Sequence, residues 1–344
     1  MQNELTQRAN LLDSNGRLSK VGWSPQPLLD CNLKNARFYG IRAFQRLRIK
    51  RWDYYAVFTP RLFFSATIAD LGYAGNIFVY LLDFSTNELH EEGLVVPLGR
   101  GIRLSRNSDQ GVSNFDDKRH RLRFEVLPEG RHIQISWPSF HNGRGISADI
   151  LLHQLPDHES MNIVIPIKMR RFYYNRKINC LPAHGSLQYG DIKESLSSET
   201  CLGSLDWGRG VWEYISFWNW ASASGFLPDG QKIGLNLGCG FGDLSAATEN
   251  CLALNGKIHK LAQVNFGYIS GDFMRPWKFT DSEGRLDLDF VPFKERLAKT
   301  NLGIINSEVH QMFGRYSGRV SSNNGSVIDI HNLIGFAEEH QARW

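Results

Sequence analysis

Short runs in which apolar and polar residues alternate cover most of this chain of 344 residues. A repeat of two residues places alternate side chains on opposite faces of a strand, whereas an amphipathic helix repeats every three to four residues. Gly, Pro, Asn or Asp separates most of the runs, and almost no segment shows the helical repeat. The pattern therefore predicts an all-β protein of antiparallel sandwich or barrel units with few short helices.

The predicted strands fall into two groups of similar style. Those of the first group cover residues 54–59, 62–68, 76–84, 93–97, 122–127, 132–137, 147–155 and 162–166. Those of the second group cover residues 177–181, 185–189, 212–220, 232–237, 251–254, 257–259, 264–267, 277–280, 286–290, 309–316, 317–321 and 333–338. We therefore predict an irregular lead-in over residues 1–36, an N-terminal β unit over 37–170 and a C-terminal β unit over 171–344.

A tryptophan-rich hairpin is the most informative part of the second unit. Four of the nine tryptophans lie between Trp207 and Trp220. Aromatic residues alternate with others over residues 212–220, residues 227–230 have the composition of a turn, and residues 232–237 would return beside the first strand. Large flat side chains among a few polar groups are typical of a ligand cavity, although ordinary core packing would use the same tryptophans.

Composition and charge exclude several classes of protein. Hydrophobic residues make up 42% and charged residues 22% of the chain, as in a soluble globular protein. No apolar run approaches the roughly 20 residues of a membrane-spanning helix, and the first residues lack the features of a signal peptide, so we expect a cytoplasmic protein. A net charge of +4 is too small to indicate nucleic acid. The oligomeric state stays open.

Cysteines and histidines give no sign of a metal or a cofactor. The five cysteines are scattered, odd in number and without a CxxC pair, which is typical of reduced thiols. The histidines of the first half have no spacing that would suit a metal site with carboxylates. We therefore expect neither a bound metal nor a cofactor.

The segment from Arg37 to Arg51 contains six basic residues and no acidic one. It could form a patch for nucleic acid or for an anionic head group, and the latter would give peripheral contact with the lipids of a membrane. Alternatively, Arg46, Arg48 and Lys50 could form the solvated face of a strand, because they alternate with other residues.

Residues 233–243 contain four glycines and are similar to the first motif of S-adenosylmethionine-dependent methyltransferases. In that motif a strand enters a glycine turn and a helix follows at once. Here Asn236 stands where an acidic residue is usual, and Asn255-Gly256 predicts a hairpin turn instead of a helix. Methyltransferase is therefore our third hypothesis for the function.

Five short motifs resemble a bacterial family catalogued as domain of unknown function 2804. The motifs are Val21-Gly22-Trp23-Ser24, Lys50-Arg51-Trp52, Asp206-Trp207-Gly208-Arg209-Gly210, Trp218-Asn219-Trp220-Ala221-Ser222 and Gly335-Phe336-Ala337-Glu338-Glu339-His340. More remotely, the order of features is similar to the carotenoid 1,2-hydratase and tocopherol cyclase group, which implies a pair of lipocalin-like β units. Asp206, Trp207 and Gly208 match a motif of that group, but its histidine is missing, and Asn219 carries an amide at a position where the resemblance implies an acid.

These features favour an enzyme that acts on a hydrophobic small molecule of isoprenoid or fatty-acyl type by acid and base chemistry: hydration, dehydration, isomerisation or cyclisation. Asp206 would be the acid, with Glu213 or Glu249 as its partner and Arg209 orienting a polar end of the ligand. The other predicted binding residues are Trp207, Trp212, Tyr214, Trp218, Asn219, Trp220 and Glu338. Asp206 could instead form an ion pair with Arg209, and the protein could be a carrier of a hydrophobic ligand without catalysis.

Glu338, Glu339 and His340 lie together near the end of the chain. If this segment is a strand, Glu338 and Glu339 point to opposite faces, so only one carboxylate can point inward. A solvated chain end is the alternative.

Overall fold

The structure is a computed structural model that describes residues 2–38, 42–168, 170–302 and 305–343. Strands account for 62% of it and helices for 4%. The first sixteen strands are β1 (Ala9–Asn10), β2 (Gly22–Ser24), β3 (Leu29–Asp30), β4 (Ile49–Phe58), β5 (Leu62–Asp70), β6 (Ala74–Asp83), β7 (Glu88–Pro97), β8 (Ile102–Arg103), β9 (Val112–Asp116), β10 (Arg121–Leu127), β11 (Gly130–Trp137), β12 (Ile146–His153), β13 (Met161–Ile167), β14 (Arg171–Tyr189), β15 (Ile192–Leu196) and β16 (Leu202–Val211).

The remaining nine strands are β17 (Ile215–Phe226), β18 (Lys232–Cys239), β19 (Cys251–Leu254), β20 (Lys257–Lys260), β21 (Val264–Gly267), β22 (Trp277–Asp281), β23 (Leu286–Leu302), β24 (Ile305–Ser321) and β25 (Val327–Arg343). The helical segments are short: 3-10 helices at Leu33–Asn35 and Arg42–Arg48, and one turn at Phe140–Gly143. No helix among the described residues has the length and apolarity that crossing a bilayer requires.

A 14-stranded antiparallel sheet forms the first half of the molecule. Its main order is β7-β6-β5-β4-β16-β14-β12-β11-β10-β9-β8, while β13 and β15 also pair with β14, and β2 pairs with β13. The long strand β14 bends at Cys180, which has a φ of 62° and lies at a shift in register opposite β16. Because of the bend, the sheet curls around a core that contains Trp137, Phe140 and Trp207.

A nine-stranded sheet in the order β20-β19-β18-β17-β25-β24-β23-β22-β21 forms the second half. All of its pairs are antiparallel, and it curls around its own core, which includes Trp277, Phe279 and Tyr316. The chain passes from one sheet to the other between Val211 and Ile215.

An aromatic layer joins the two half-barrels. Phe63 and Tyr80 of the first sheet pack against Phe313 and Phe336 of the second, and the rings of Phe63 and Phe313 lie 4.8 Å apart. Aromatic pairs in this geometry contribute more than their buried area alone. The two sheets therefore pack against each other as one body at this layer.

The structure confirms the prediction of an all-β protein with two antiparallel units and few helices. It also confirms the turn after Leu227, where Leu227 accepts a hydrogen bond from Gly230, and the hairpin of β17 and β18. The first strand of that hairpin begins at Ile215 instead of residue 212, since the chain changes sheets there. The predicted division between residues 170 and 171 falls at the turn between β13 and β14 and stays a prediction.

Two sequence-based alternatives are wrong. The described residues that follow Gly242 contain no helix, and β18 pairs with β19 in antiparallel fashion, so the parallel βαβ surroundings of a methyltransferase motif do not exist here. Arg46, Arg48 and Lys50 do not form a solvated strand face, because the 3-10 helix runs to Arg48. Lys50 is buried and donates a hydrogen bond to the carbonyl of Leu71 at 2.9 Å.

Candidate functional site

A cavity of about 580 Å³ lies between the two sheets. Its floor is formed by Tyr54, Tyr80 and Trp220, which belong to the same aromatic cluster as Phe63, Phe313 and Phe336. Its lining comprises Trp52, Tyr54, Thr67, Ala69, Leu71, Asn76, Phe78, Tyr80, Glu91, Gly93, Val95, Tyr173, Lys177, Asp206, Trp212, Trp218, Trp220, Phe241, Glu249, Arg296, Ala298, Lys299, Thr300, Ser307, Val309, Gln311, Glu338 and His340.

The strand registers show which end of the cavity is deep and which is open. Near the floor, Trp220, Glu338, Gln311 and Arg296 lie opposite one another on four adjacent strands of the second sheet. Further from the floor, four residues of the first sheet also lie opposite one another on adjacent strands: Trp52, Ala69, Asn76 and Val95. Val95, Lys299 and Thr300 are exposed to solvent, so the cavity opens at their end.

Lys177 is the centre of a group of three charges, of which Lys177 and Asp206 are buried and Glu249 is partly buried. Its Nζ lies 3.1 Å from Oδ2 of Asp206 and 3.4 Å from Oε2 of Glu249, and 3.8 Å from the ring centre of Trp220. Burial works to lower the pKa of Lys177, but Asp206 and Glu249 together raise it. Asn175 adds a hydrogen bond to the other oxygen of Asp206. The two neighbouring carboxyl groups therefore hold Lys177 in its charged form.

Glu338 lies at the deep end of the same cavity and is buried. Burial raises its pKa to about 7, and the negative charge of Asp206 adds to this, while Arg296, Lys177 and a hydrogen bond with Trp218 act in the opposite direction. The Nε2 of Gln311 donates to Oε2 of Glu338 at 3.0 Å. The hydroxyl of Tyr80 in turn donates to Oε1 of Gln311 at 3.0 Å, which fixes the amide. Glu338 therefore has the pKa and the fixed position that a general acid needs.

A second ion pair connects the sheets beside Glu338. Arg296 of β23 donates two hydrogen bonds to Glu91 of β7, with Nε lying 2.9 Å from Oε2. The guanidinium also stacks 4.2 Å above the ring of Tyr80. Because this pair is bidentate and Arg296 is buried, it fixes the distance between the two sheets at this wall.

His340 lies on the same face of β25 as Glu338, one step closer to the opening. Burial lowers its pKa to about 3, and Arg296 adds to the effect. Its Nε2 lies 2.8 Å from the hydroxyl of Ser307, and its ring packs on Trp218. His340 is therefore neutral at physiological pH and can exchange a hydrogen bond, but it is a poor base.

Aromatic rings form the opposite wall. Trp212 packs edge to face with Trp52, Phe241 and Trp218, with ring centres 4.9, 4.9 and 5.6 Å apart. Gly208 makes room for this wall, because a Cβ there would lie 1.9 Å from an atom of the Trp52 ring. Such a surface suits an apolar ligand or one that develops positive charge.

The structure brings together six of the eleven residues predicted for the site. Asp206, Glu249, Trp212, Trp218, Trp220 and Glu338 all line the cavity. Glu338 points into it, whereas Glu339 lies on the other face and accepts a hydrogen bond from Tyr268. Only one of the two carboxylates faces the cavity, as the strand pattern requires, and this chain end is not solvated.

Trp207 and Arg209 lie on the other face of β16, since side chains alternate along a strand. Trp207 belongs to the core of the first sheet. Arg209 is buried beside it and pairs with Asp53 at 2.8 Å, instead of with Asp206. Neither residue reaches the cavity, so neither can orient a ligand there.

The other three predicted residues also lie outside the cavity lining. Glu213 is in the connection between the sheets and lies 4.0 Å from Arg171. Tyr214 of the same connection is exposed. Asn219 points to the core side of β17, where it donates to the hydroxyl of Tyr268 at 3.1 Å.

Sequence reasoning missed several functional candidates, chiefly Lys177, Arg296, Gln311 and Glu91. Lys177 and Gln311 lie within predicted strands, whereas Glu91 and Arg296 lie outside them, so the two-residue pattern did not mark the four as neighbours. Their meeting depends on pairings between distant strands, such as Lys177 opposite Asp206. No group of three or more histidine, cysteine and acidic residues in the described part of the chain could hold a metal ion.

The fold and the cavity define an antiparallel β protein with an aromatic cleft between two half-barrels. The chain belongs to the family described as Domain of unknown function (DUF2804), which matches residues 2–344. No curated protein matches it.

Two solved structures are similar over most of the chain. An AttH-like protein from Nitrosomonas europaea has a TM-score of 0.50 and 13% identity, with 86% of this chain and 93% of that chain covered. Kievitone hydratase from Nectria haematococca has a TM-score of 0.45 and 12% identity, with 86% and 88% covered. At 13% identity, the similarity to the AttH-like protein concerns the fold alone.

Proposed function

We propose that the protein is an enzyme that transfers protons to and from a hydrophobic small molecule bound between the two sheets, with Glu338 as the general acid. The observation that carries the proposal is a buried carboxyl group with a pKa of about 7 in a cavity lined by tryptophans. A pKa near the working pH lets an acid both hold its proton and release it.

The cavity supports a hydrophobic substrate of isoprenoid or fatty-acyl type. Its volume of about 580 Å³ is within the range of small-molecule sites. Protonation of a carbon–carbon double bond creates a cation, and the faces of Trp218 and Trp220 can stabilise positive charge through their ring quadrupoles. Loss of a proton from the cation would complete an isomerisation or a cyclisation, and addition of water would complete a hydration.

The charges of the ion cluster give Asp206 a different role from the one its sequence position indicates. Asp206 and Glu249 each direct a carboxyl oxygen at the ammonium group of Lys177, so both are engaged in ion pairs. A fixed carboxylate beside the substrate can stabilise a developing cation or accept its proton. We therefore assign proton donation to Glu338 and the stabilising charge to Asp206, with Glu249 as its partner.

A carrier without catalysis is the second candidate. The cavity charges pair with one another, Lys177 with two carboxylates and Arg296 with Glu91, which leaves the aromatic wall as the main surface for a ligand. A carrier needs only this surface.

Incubation of the purified protein with extracted cellular lipids, followed by mass spectrometry, separates the two candidates. For an enzyme we expect a converted ligand, a loss of conversion in Glu338→Gln, and a rate that falls as the pH rises through about 7. Glu339→Gln is the matched control, because this carboxylate faces away from the cavity. Stoichiometric binding without conversion would establish the carrier instead.

A further inference from the structure

Two buried arginines, Arg131 of β11 and Arg176 of β14, lie side by side in the first half-barrel and are called the arginine pair below. Arg131 is 2% exposed, and Arg176 is 3% exposed. Nη2 of Arg131 donates to the carbonyl of Ser108 at 2.8 Å, and Nη1 of Arg176 donates to the same carbonyl at 3.3 Å. Because the two guanidinium groups share one acceptor, two positive charges are held close together inside the protein.

The other contacts of the arginine pair are with neutral groups. Arg131 donates to the amide oxygen of Gln154 at 3.1 Å and to the hydroxyl of Tyr55 at 3.3 Å. Nε of Arg176 donates to the hydroxyl of Ser160 at 3.0 Å. A buried charge is costly unless an opposite charge accompanies it, so these contacts leave the cost of burial uncompensated.

Another deeply buried arginine has the counter-ion that the arginine pair lacks. Arg209 is buried as deeply and pairs with Asp53 at 2.8 Å. Neither member of the arginine pair forms such a salt bridge with a residue that the structure describes. Burial and the charge of Arg131 lower the pKa of Arg176 to about 9, so Arg176 still carries its charge at neutral pH. An anion placed between the two groups would compensate both charges.

Three hydrogen-bond donors at the arginine pair have no acceptor within the described residues. Nη2 of Arg176 makes no hydrogen bond there. The hydroxyls of Tyr55 and Ser108 each accept a hydrogen bond from an arginine and donate none. Donors gathered around positive charge are the partners that a phosphate or carboxylate group requires.

The loop over residues 104–111, between β8 and β9, covers the arginine pair. Ser108 is buried, whereas the next two residues, Asp109 and Gln110, are exposed and form the tip of the loop. On the other side of the pair, the rings of Tyr55 and Phe124 pack with their centres 4.8 Å apart in the core. An anion can therefore reach the arginine pair only from the loop side, and it must be small.

We infer that Arg131 and Arg176 bind one small oxyanion, a phosphate or a carboxylate, which replaces the carbonyl of Ser108 when the tip of the loop moves outward. Guanidinium groups bind both kinds of oxyanion through pairs of N–H groups. The site is separate from the cavity between the sheets, because Lys177 lines that cavity and the adjacent Arg176 points to the opposite face of β14. The inference therefore does not depend on the proposed function.

Thermal unfolding in inorganic phosphate or in acetate tests the site, with potassium chloride at the same ionic strength as the reference. An anion that binds only the folded protein raises the midpoint temperature as its concentration rises. We expect at least one of the two oxyanions to raise the midpoint above the chloride reference. A response to phosphate alone indicates a phosphate site, and a response to acetate alone indicates a carboxylate site.

Two variants test whether the arginine pair causes this response. Arg176→Lys keeps the charge but removes the forked donor, and it should weaken binding of the oxyanion about tenfold. Its matched control is Arg319→Lys, which changes an exposed arginine of β24 in the same way and should bind as the wild type does.

Asp109 provides a test in the opposite direction. Its charge raises the pKa of Arg176, against the effect of burial, so this exposed carboxylate lies near the site and competes with an anion. Asp109→Asn should therefore tighten binding on the order of threefold. Asp329→Asn, which removes an exposed carboxylate of β25, should leave binding unchanged.

Three results would overturn the inference. The first is a wild-type protein whose midpoint rises no more in phosphate or acetate than in chloride. The second is an equal response to the oxyanion in Arg176→Lys and Arg319→Lys. The third is weaker binding in Asp109→Asn, because removal of a competing carboxylate cannot weaken the binding of an anion to the arginine pair.

Discussion

Replacement of Glu338 by glutamine should make the stability of the protein less sensitive to pH. Glu338 has a pKa of about 7 in the folded protein, compared with the ordinary value of 4.5 that applies to the unfolded chain. At 1.36 kcal/mol per pKa unit, this rise corresponds to about 3 kcal/mol.

The sign follows from which state holds the proton. Below pH 4.5 both states hold it, so Glu338 has no effect on the pH dependence there. Between 4.5 and about 7 the unfolded chain loses its proton first, so the free energy of unfolding falls as the pH rises. Above about 7 the wild type has lost about 3 kcal/mol through this residue, and glutamine, which cannot ionise, loses none.

Urea unfolding of both proteins, followed by tryptophan fluorescence at several pH values, measures the effect. With a slope of about 3 kcal/mol per molar urea, the midpoint difference between variant and wild type should change by about 1 M from about pH 4 to pH 8. Any change in hydrogen bonding to Gln311 shifts all midpoints alike and cancels in this comparison. Parallel pH profiles for the two proteins would refute the assignment of a neutral, buried acid.

Three further predictions concern the same cavity. Lys177→Met should lower the free energy of unfolding by about 3–5 kcal/mol, because it leaves the buried Asp206 and the partly buried Glu249 without their cation, and adding Asp206→Asn should restore part of the loss in urea titrations. Gly208→Ala should cost about 1–3 kcal/mol and weaken ligand binding, because its Cβ would displace the ring of Trp52. Trp218→Ala should weaken the binding of a fluorescent fatty acid by about 2 kcal/mol while the protein stays folded.

Controls for these variants come from neighbouring positions. Gly93 lines the same cavity, but a Cβ there would lie 3.3 Å from Phe78 instead of 1.9 Å from a ring atom, so Gly93→Ala should cost much less than Gly208→Ala. Trp207→Phe changes the core of the first sheet and should leave affinity for the fatty acid unchanged. Equal affinity losses for Trp207→Phe and Trp218→Ala would contradict the placement of the binding surface on one face only.

The fold class could be predicted from the sequence because each strand carries its own two-residue pattern. Local signals such as Asn255-Gly256 were also sufficient to predict hairpin turns, since such a turn depends only on adjacent residues. The cavity-facing positions of Trp218 and Trp220 followed from the same alternation.

The identity of the acid and its surroundings could not be predicted. Asp206 and Trp207 are adjacent in a conspicuous motif, yet they point to opposite sides of β16, and nothing local shows which side is the cavity. Lys177 meets Asp206 only through the pairing of β14 with β16, and Glu338 meets Arg296 only through three adjacent strands. Such contacts depend on the order of the strands in the sheet. The alternation of apolar and polar residues along a single strand does not determine that order.

The pairing of β4 with β16 constrains how this chain is made. Tyr55 lies opposite Leu205, roughly 150 residues later in synthesis, so the centre of the first sheet lacks a neighbour until most of the polypeptide exists. At about 5–20 residues per second, a ribosome needs on the order of ten seconds to supply it. During that interval the nascent β4 presents an apolar strand edge, and we expect a chaperone that shields such edges to raise the yield of folded protein.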